Sequence, residues 1–447
     1  MQNSYRHLQV NERGHLTIEG QEALSLARRF GTPLWVLSER AIRERCGAYR
    51  QALADFWSDS AVAYAGKALL PLAICRLMDE ENMWLDVASG GELYAAQAAG
   101  FPAERMMYHG NNKSIEEIRM GLLAGVGRFI CDNFEELDRI DELSRICDHR
   151  PSVLLRITPG IDTRTHRYIA TGHSTSKFGF HLADGQALRA TKRVLSSSQM
   201  RLAGFHCHLG SQLTDVSSLL HGVEVMCQFM AEIRQVTGYI ASELNIGGGL
   251  GIAYTESDRP PNIRSFVQRL TSTLKTALHR HDLPAPRLWL EPGRSVVGEA
   301  GLTLYTIGSI KTLSADLTYL LVDGGMADNP RPALYQARYR AALAHKAAVK
   351  GTETVHVAGK CCESGDVLIH NVCLPTAQPG DILAVFCTGA YNHSMASNYN
   401  RLPRPAMVLV NGKDAQLIVA RQSYADLLCG EIIPHRLSAR NQVAAGQ

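Results

Sequence analysis

The sequence has no long apolar run, no block of like charge and no low-complexity segment. Because no stretch is long enough to cross a bilayer and the amino-terminal segment lacks a signal-peptide core, we expect a cytoplasmic protein without membrane contact. Lysine and arginine number 46 against 43 aspartates and glutamates, a formal charge of +3 with both signs interspersed. Without a long basic run, nucleic acid is not an expected partner.

Cysteine is present, but its pattern does not fit a disulfide framework. The eleven cysteines are an odd number in a long chain, and several stand in apolar segments, such as Cys131, Cys207 and Cys387. We therefore expect reduced thiols. The adjacent Cys361 and Cys362 are not followed by a second Cys or His pair at ligand spacing, so no metal site is predicted.

Short apolar runs alternate with longer helical patterns over the first two thirds of the chain. The runs that predict strands are 62–65, 84–87, 106–108, 128–131, 153–157, 202–207, 243–246 and 288–290. Between them, Ser114 and Glu117 form a helix-capping box, and the apolar positions in 267–278 have helical spacing. Such alternation is typical of βα units, and eight units favour a closed TIM-like (β/α)₈ barrel over the alternative, an open doubly wound sheet.

The pattern changes after about residue 295. Strand-like runs become frequent and are separated by turns, which predicts a C-terminal antiparallel β domain. A chain of 447 residues is also too long for one ordinary core. We expect two domains, a barrel over residues 35–294 and a β domain built from residues 1–34 and 295–447.

In a βα barrel, functional side chains follow the carboxyl ends of the strands. Lys67 follows the first predicted strand and could bond covalently to an aldehyde cofactor, although a solvated lysine is the commoner case. Glu291 follows the last strand, where it could keep a pyridine nitrogen protonated or be an ordinary satisfied carboxylate. His206 and His208 share one face of a strand, and His208 could stack on a planar ring or be structural.

The glycine run 247–249 could bring backbone N–H groups close to an anion, and we expect a helix to begin after it. A turn selected only for its conformation would explain the run equally well. Arg294 and the Ser211 hydroxyl could complete a phosphate cradle. An amine, a phosphate cradle, a stacking histidine and a carboxylate together make a pyridoxal 5′-phosphate site.

Further motifs occur in a fixed order along nearly the whole chain. They are Tyr-Ala-Gly-Lys at 64–67, Ser-Gly-Gly-Glu-Leu at 89–93, His-Gly-Asn-Asn-Lys at 109–113, Ser-Lys-Phe-Gly at 176–179, His-Cys-His-Leu-Gly-Ser-Gln at 206–212, Glu-Pro-Gly-Arg at 291–294, Arg-Pro-Ala-Leu-Tyr at 331–335, Cys-Glu-Ser-Gly-Asp at 362–366 and Gly-Ala-Tyr at 389–391. This set resembles the barrel-type, pyridoxal-phosphate-dependent amino acid decarboxylases (fold type III, with an alanine-racemase-like barrel), and within them the diaminopimelate decarboxylases.

The resemblance implies a homodimer with shared active sites that converts meso-2,6-diaminopimelate to L-lysine and carbon dioxide. It implies that pyridoxal 5′-phosphate contacts Lys67, His208, Ser211, Gly248, Glu291, Gly293, Arg294 and Tyr391. It implies that the substrate contacts Arg294, Arg331, Tyr335, Glu363 and Tyr391, and that the catalytic residues are Lys67 and the other subunit's Cys362. Because lysine and ornithine have no distal carboxylate, a buried Arg331 favours diaminopimelate as substrate.

Two departures from the family pattern leave room for a specialised relative. Residues 68–70 read Ala-Leu-Leu where many relatives have Ala-Asn, and residues 421–423 read Arg-Gln-Ser where Arg-Glu-Thr is usual. A decarboxylase for D-ornithine, D-lysine or a carrier-linked glutamyl group is therefore one alternative. The others are a pyridoxal-phosphate racemase, a non-enzymatic cofactor carrier, and a metal-dependent barrel hydrolase with His206 and His208 as ligands.

Overall fold

The computed structural model describes residues 6–161, 176–314 and 316–438. The first five residues of the amino-terminal segment, for which no signal peptide is predicted, lie outside the described residues. The chain begins with a small antiparallel sheet of β1 (Leu8–Val10), β2 (Leu16–Ile18) and β3 (Gln21–Glu22). Helix α1 (Ala23–Phe30) and strand β4 (Leu34–Ser38) follow. This arm leads into helix α2 (Glu39–Phe56), the first helix of the barrel region.

Eight parallel strands form a closed ring. They are β5 (Ser60–Ala65), β6 (Trp84–Val87), β7 (Met106–Tyr108), β8 (Arg128–Cys131), β9 (Ser152–Thr158), β11 (Arg201–His206), β12 (Glu243–Asn245) and β13 (Arg287–Leu290), with the short β10 (Phe180–His181) beside β9. Pairing of β13 with β5 and of β8 with β9 closes the ring. All eight predicted strands are confirmed, and the open doubly wound sheet is wrong.

Helices surround this ring. They are α3 (Leu72–Glu80), α4 (Gly90–Ala98), α5 (Ile115–Ala124), α6 (Phe134–Ile146), α7 (Gln186–Leu195), α8 (Ser217–Thr237) and α9 (Ile263–Arg280). The predicted capping box is confirmed at α5, where the Glu117 N–H donates to the Ser114 hydroxyl at 3.1 Å and the Ser114 N–H donates to the Glu117 carboxylate at 2.9 Å. Helix α2 packs against α9, which completes the outer layer.

The barrel interior is closed by its own side chains. A fully buried apolar cluster lies inside the ring and consists of Ala63, Met107, Ile130, Leu154, Ala203 and Trp289. The Trp289 indole donates to Glu243 at 2.9 Å, and the same carboxylate pairs with Arg128 at 2.6 Å. Because this cluster fills the interior, the polar residues at the carboxyl ends of the strands lie at the end of a packed core and not at the mouth of a channel.

The second domain is a mixed sheet organised around one long strand. Its elements are α10 (Arg294–Val297), β14 (Gly301–Ser314), β15 (Leu317–Val322), α11 (Arg331–Tyr335), β16 (Ala341–Leu343), β17 (Glu353–Ala358), β18 (Val367–Leu374), β19 (Ile382–Phe386), β20 (Ala406–Asn411), β21 (Asp414–Val419) and α12 (His435–Ser438). Most strand pairs are antiparallel, as predicted. The pairs β15–β17 and β4–β20 are parallel, because their members are joined by long connections rather than hairpins.

The position of strand β4 does not fit the predicted start of the barrel domain at residue 35. All five residues of Leu34–Ser38 are buried, and the strand pairs antiparallel with β14 and parallel with β20. It is therefore part of the second sheet, and the boundary expected at residue 35 falls inside it. A short, continuous apolar run fits a barrel strand and a central sheet strand equally well, so the pattern could not separate them.

All eleven cysteines are free thiols in the structure. Cys362, Cys373 and Cys429 are exposed, and the other eight are buried or half-buried. Within the described ranges, no helix has both the length and the apolar character needed to cross a bilayer.

Candidate active site

Lys67 lies on a single 3₁₀ turn, Gly66–Ala68, directly after β5. Its side chain is accessible from the open end of the barrel. Burial of its surroundings lowers the pKa of the amine, but the nearby Asp86 carboxylate and, more weakly, Tyr391 and Glu291 outweigh that effect and raise it. The amine is thus a cation at a strand end, within reach of a ligand that enters the barrel.

Glu291 accepts three hydrogen bonds directly after β13. The donors are His109 Nε2 at 2.9 Å, His206 Nε2 at 3.0 Å and the Asn245 amide at 2.8 Å. Burial favours the protonated acid, but the two histidines outweigh it and hold the pKa of Glu291 well below its usual value. Burial in turn lowers the pKa of His206 to about 4. A carboxylate with a lowered pKa therefore lies at the barrel end, held in place by three donors.

The glycine run packs tightly beneath His208. The Gly248 N–H donates to His208 Nδ1 at 3.2 Å, and burial holds the pKa of this imidazole well below its usual value. A Cβ on Gly248 would lie 2.1 Å from the Glu291 carbonyl oxygen, and one on Gly247 would lie 2.7 Å from His208 Nδ1. Glycine is therefore required here for close approach. The helix expected after the run is wrong, because the next helix, α9, begins only at Ile263.

Two buried arginines meet at one tyrosine hydroxyl. Arg294 donates to the Ser211 hydroxyl through Nε at 3.2 Å and Nη2 at 2.9 Å, and to the Tyr254 hydroxyl through Nη1 at 2.6 Å. Arg331 donates through Nη1 to Tyr254 at 2.8 Å and to Tyr339 at 2.7 Å. Their partners in these bonds are all hydroxyl groups, no ion pair is formed by either guanidinium within the described part of the chain, and their exposed fractions are only 6% and 4%.

The second domain reaches the lysine turn through Tyr391. Its N–H donates to the Ala68 carbonyl at 2.9 Å, and its ring lies 4.7 Å from the Arg294 guanidinium carbon. Gly293 approaches the same turn closely, since a Cβ there would lie 3.0 Å from the Cβ atoms of both Ala65 and Ala68. These contacts link the amine, the arginine cluster and the second domain into one site.

Cys362 and Glu363 lie on the loop between β17 and β18. Both are exposed, and the Cys362 N–H donates to Asn400 at 2.7 Å. Asp366 anchors the loop by accepting the Cys361 N–H at 2.8 Å and a second backbone N–H from Met326. In the described part of the chain, no hydrogen bond or ion pair joins Cys362 or Glu363 to the residues around Lys67.

The structure thus brings most of the predicted site residues together at the barrel end. They are Lys67, His208, Ser211, Gly248, Glu291, Gly293, Arg294, Arg331 and Tyr391. Tyr335, half-buried, ends α11, the short helix that Arg331 begins. Sequence reasoning missed Tyr254, Tyr339 and Asn245 as members. Asn245 could have been found as the last residue of the strand before the glycine run, whereas neither tyrosine has a local signal.

These residues fit the cofactor that the resemblance implies. The glycine run leaves no room for a side chain between His208 and Glu291, an accessible amine stands nearby, and the ionised Glu291 can pair with a protonated ring nitrogen. Ser211 and Arg294 supply a hydroxyl and a guanidinium, which suit a phosphate. The donor set is thus that of a pyridoxal 5′-phosphate site.

The residues that could bind a metal ion in the structure differ from the pair His206 and His208 predicted from the sequence. The atoms of His109, His206 and Glu291 lie within 4.8 Å of one another. His208 is not a member of this group, and its Nδ1 accepts the Gly248 N–H. The three clustered groups are joined by hydrogen bonds in which both imidazoles donate to the carboxylate. The pair of His206 and His208 is therefore not the ligand set that a barrel hydrolase would need.

Comparison with known proteins agrees with this geometry. The family described as pyridoxal-dependent decarboxylase, pyridoxal binding domain, matches residues 39–298. The diaminopimelate decarboxylase of Bacillus subtilis is 49% identical over 418 residues, which cover 94% of this chain and 95% of that protein.

Solved structures give the same assignment. The crystal structure of a diaminopimelate decarboxylase from M. jannaschii has a TM-score of 0.89 at 36% identity, and the match covers 96% of this chain and 99% of the other. A lysine/ornithine decarboxylase from Vibrio vulnificus shares the fold at 22% identity, with a TM-score of 0.72 over 87% of this chain and 97% of that one. The chain therefore belongs to the diaminopimelate decarboxylase family, a group of carboxy-lyases that use pyridoxal 5′-phosphate.

Proposed function

We propose that this enzyme decarboxylates meso-2,6-diaminopimelate to L-lysine and carbon dioxide, the last step of lysine biosynthesis. The observation that carries the proposal is Arg331, a guanidinium that is 4% exposed and has no carboxylate partner among the described residues. An unpaired buried cation is costly unless a ligand supplies the missing anion. The second carboxylate of diaminopimelate is such an anion, whereas ornithine and lysine have none beyond the one that is removed.

Each residue at the barrel end has a proposed task. Lys67 would bind the cofactor covalently and release the product, His208 would stack on its ring, and Glu291 would hold its ring nitrogen protonated. Ser211, Gly248, Gly293 and Arg294 would bind the phosphate. When bound, pyridoxal 5′-phosphate supplies the electron sink for the pair left by the departing carboxylate.

The substrate would be held by both domains. We place Arg331, Tyr335 and Arg294 at the distal carboxylate, and Tyr391 between substrate and cofactor. Tyr391 is suited to this task because its backbone is tied to the lysine turn while its ring covers Arg294.

We further propose a homodimer in which Cys362 and Glu363 serve the partner subunit's site. The thiol would protonate the carbon from which carbon dioxide has left, and Glu363 would bind the distal ammonium. This arrangement is supported by the exposed position of both residues on an anchored loop that has no hydrogen bond to the described residues around Lys67. A cytoplasmic location stays a prediction.

Substrate profiling tests the reaction. We expect carbon dioxide and L-lysine from meso-diaminopimelate, with kcat/KM at least about 100-fold higher than for D-ornithine or D-lysine, since those lack the anion that Arg331 needs. Carbon dioxide release and lysine formation would be measured together. Faster turnover of either competitor, or racemisation without carbon dioxide release, would contradict the proposal.

Subunit mixing tests the shared site. Lys67→Ala and Cys362→Ala should each be nearly inactive alone, because each lacks one group from every site. Dimers that combine one chain of each kind contain one intact site, so random mixing should restore about a quarter of wild-type activity. Each variant mixed with itself is the control. A mixture no more active than its components would show that one chain supplies both groups.

A further inference from the structure

One nitrogen of Arg331 is held by two phenols. Both N–H bonds of Nη1 are used, one toward the Tyr254 hydroxyl at 2.8 Å and one toward the Tyr339 hydroxyl at 2.7 Å. The phenol rings pack edge to face, with centroids 5.5 Å apart and planes at 88°. Tyr254 and Tyr339 are themselves buried, at 6% and 4% exposure. The guanidinium is therefore fixed in orientation by neutral groups.

This leaves one side of Arg331 unused. Its Nε and Nη2 atoms have no hydrogen-bond acceptor among the described residues. Their parallel N–H bonds form the fork that binds a carboxylate through two oxygens at once. Arg294 differs, because its own Nε and Nη2 already donate to Ser211 and only its Nη1 reaches Tyr254.

Phenol hydroxyls suit the task of orienting Arg331 because they are neutral. An aspartate or glutamate would also orient a guanidinium, but it would neutralise the charge and compete with an incoming anion. A neutral phenol accepts the hydrogen bond and leaves the positive charge available. Burial raises the pKa of Tyr339 to about 12, so this phenol stays neutral.

We propose that Tyr254 and Tyr339 are positioning residues for the substrate's distal carboxylate. Tyr254 also divides the work of the two arginines, so that Arg331 makes the two-pronged contact to that carboxylate while Arg294 serves mainly the phosphate. Tyr339 and Tyr254 aim the fork of Arg331 at the carboxylate, while Tyr254 keeps Arg294 turned toward Ser211 and the phosphate. The inference rests on the proposed function, since it assumes a substrate with a second carboxylate. It adds two residues to the proposed substrate site: Tyr254, which follows the glycine run in the barrel, and Tyr339, which precedes β16 in the second domain.

Two ligands that differ by one carboxylate test this assignment. L-Lysine keeps the distal carboxylate and 1,5-diaminopentane (cadaverine) lacks it, so dissociation constants for both would be measured by calorimetry on the cofactor-loaded enzyme. For Tyr254→Phe and for Tyr339→Phe, we expect L-lysine to bind about 10-fold more weakly, with cadaverine unchanged. The KM for meso-diaminopimelate should rise by a similar factor, while kcat changes much less.

The controls separate this inference from the proposed function. Tyr239→Phe removes a phenol that donates to the Leu202 carbonyl at 3.0 Å on the outside of the barrel, and it should leave both affinities unchanged. If either tyrosine variant weakens both ligands equally, or neither ligand, the positioning role is wrong. If wild-type enzyme binds L-lysine no better than cadaverine, the distal-carboxylate function itself fails. Because the two variants lie in different domains, misfolding of one leaves the other as a test.

Discussion

A Lys67→Ala variant should lose at least about 1,000-fold in kcat and should not retain the cofactor covalently. The side chain is accessible and makes no hydrogen bond to a described residue. Because no hydrogen bond is lost, the variant should still fold. Activity would be measured as carbon dioxide release. Cofactor attachment would be followed by the visible absorption band of protein purified with pyridoxal 5′-phosphate, which the wild type should show and the variant should lack.

The matched control is Lys275→Ala, which removes an exposed lysine from helix α9. This variant should keep the absorption band and full turnover. If Lys67→Ala kept the band after dialysis, another amine would be the attachment point. If wild-type protein showed no band at all, the site would not be a pyridoxal 5′-phosphate site.

An Arg331→Ala variant should lose at least about 100-fold in kcat/KM for meso-diaminopimelate while cofactor affinity changes little. The Arg331 guanidinium is hydrogen-bonded to Tyr254 and Tyr339, whereas Ser211 is bonded to Arg294. Loss of Arg331 should therefore remove a substrate contact and not a phosphate contact. Arg331→Lys should recover only part of the loss, because an ammonium keeps the charge but cannot form the two-pronged contact. Steady-state kinetics and cofactor titration would be run in parallel.

Arg76→Ala is the control for this prediction. Arg76 forms an exposed ion pair with Asp79 at 3.3 Å on α3, and such surface pairs contribute little. Its removal should change neither quantity. Equal losses of turnover and cofactor affinity in Arg331→Ala would mean that the residue serves the cofactor, and the choice of diaminopimelate over other amino acids would lose its main support.

The barrel and the functional residues at the carboxyl ends of its strands could be predicted from local sequence. Strand runs such as 84–87 and 106–108 agree with the structure residue for residue, because a buried parallel strand needs a short continuous apolar run between helical segments. The capping box at Ser114 needs only neighbours three residues apart. Lys67 and Glu291 could be placed at the barrel end because the carboxyl end of each strand marks that face.

What local sequence could not reveal was how distant groups pair. Glu291 is held by His109 and Asn245, which lie 182 and 46 residues away in the chain. Arg331 is oriented by Tyr254, 77 residues earlier. Strand β4 belongs to the second sheet, although its apolar run would suit a barrel strand equally well. Periodicity and capping report only the few residues around a position, whereas hydrogen bonds between remote side chains exist only in the complete tertiary structure.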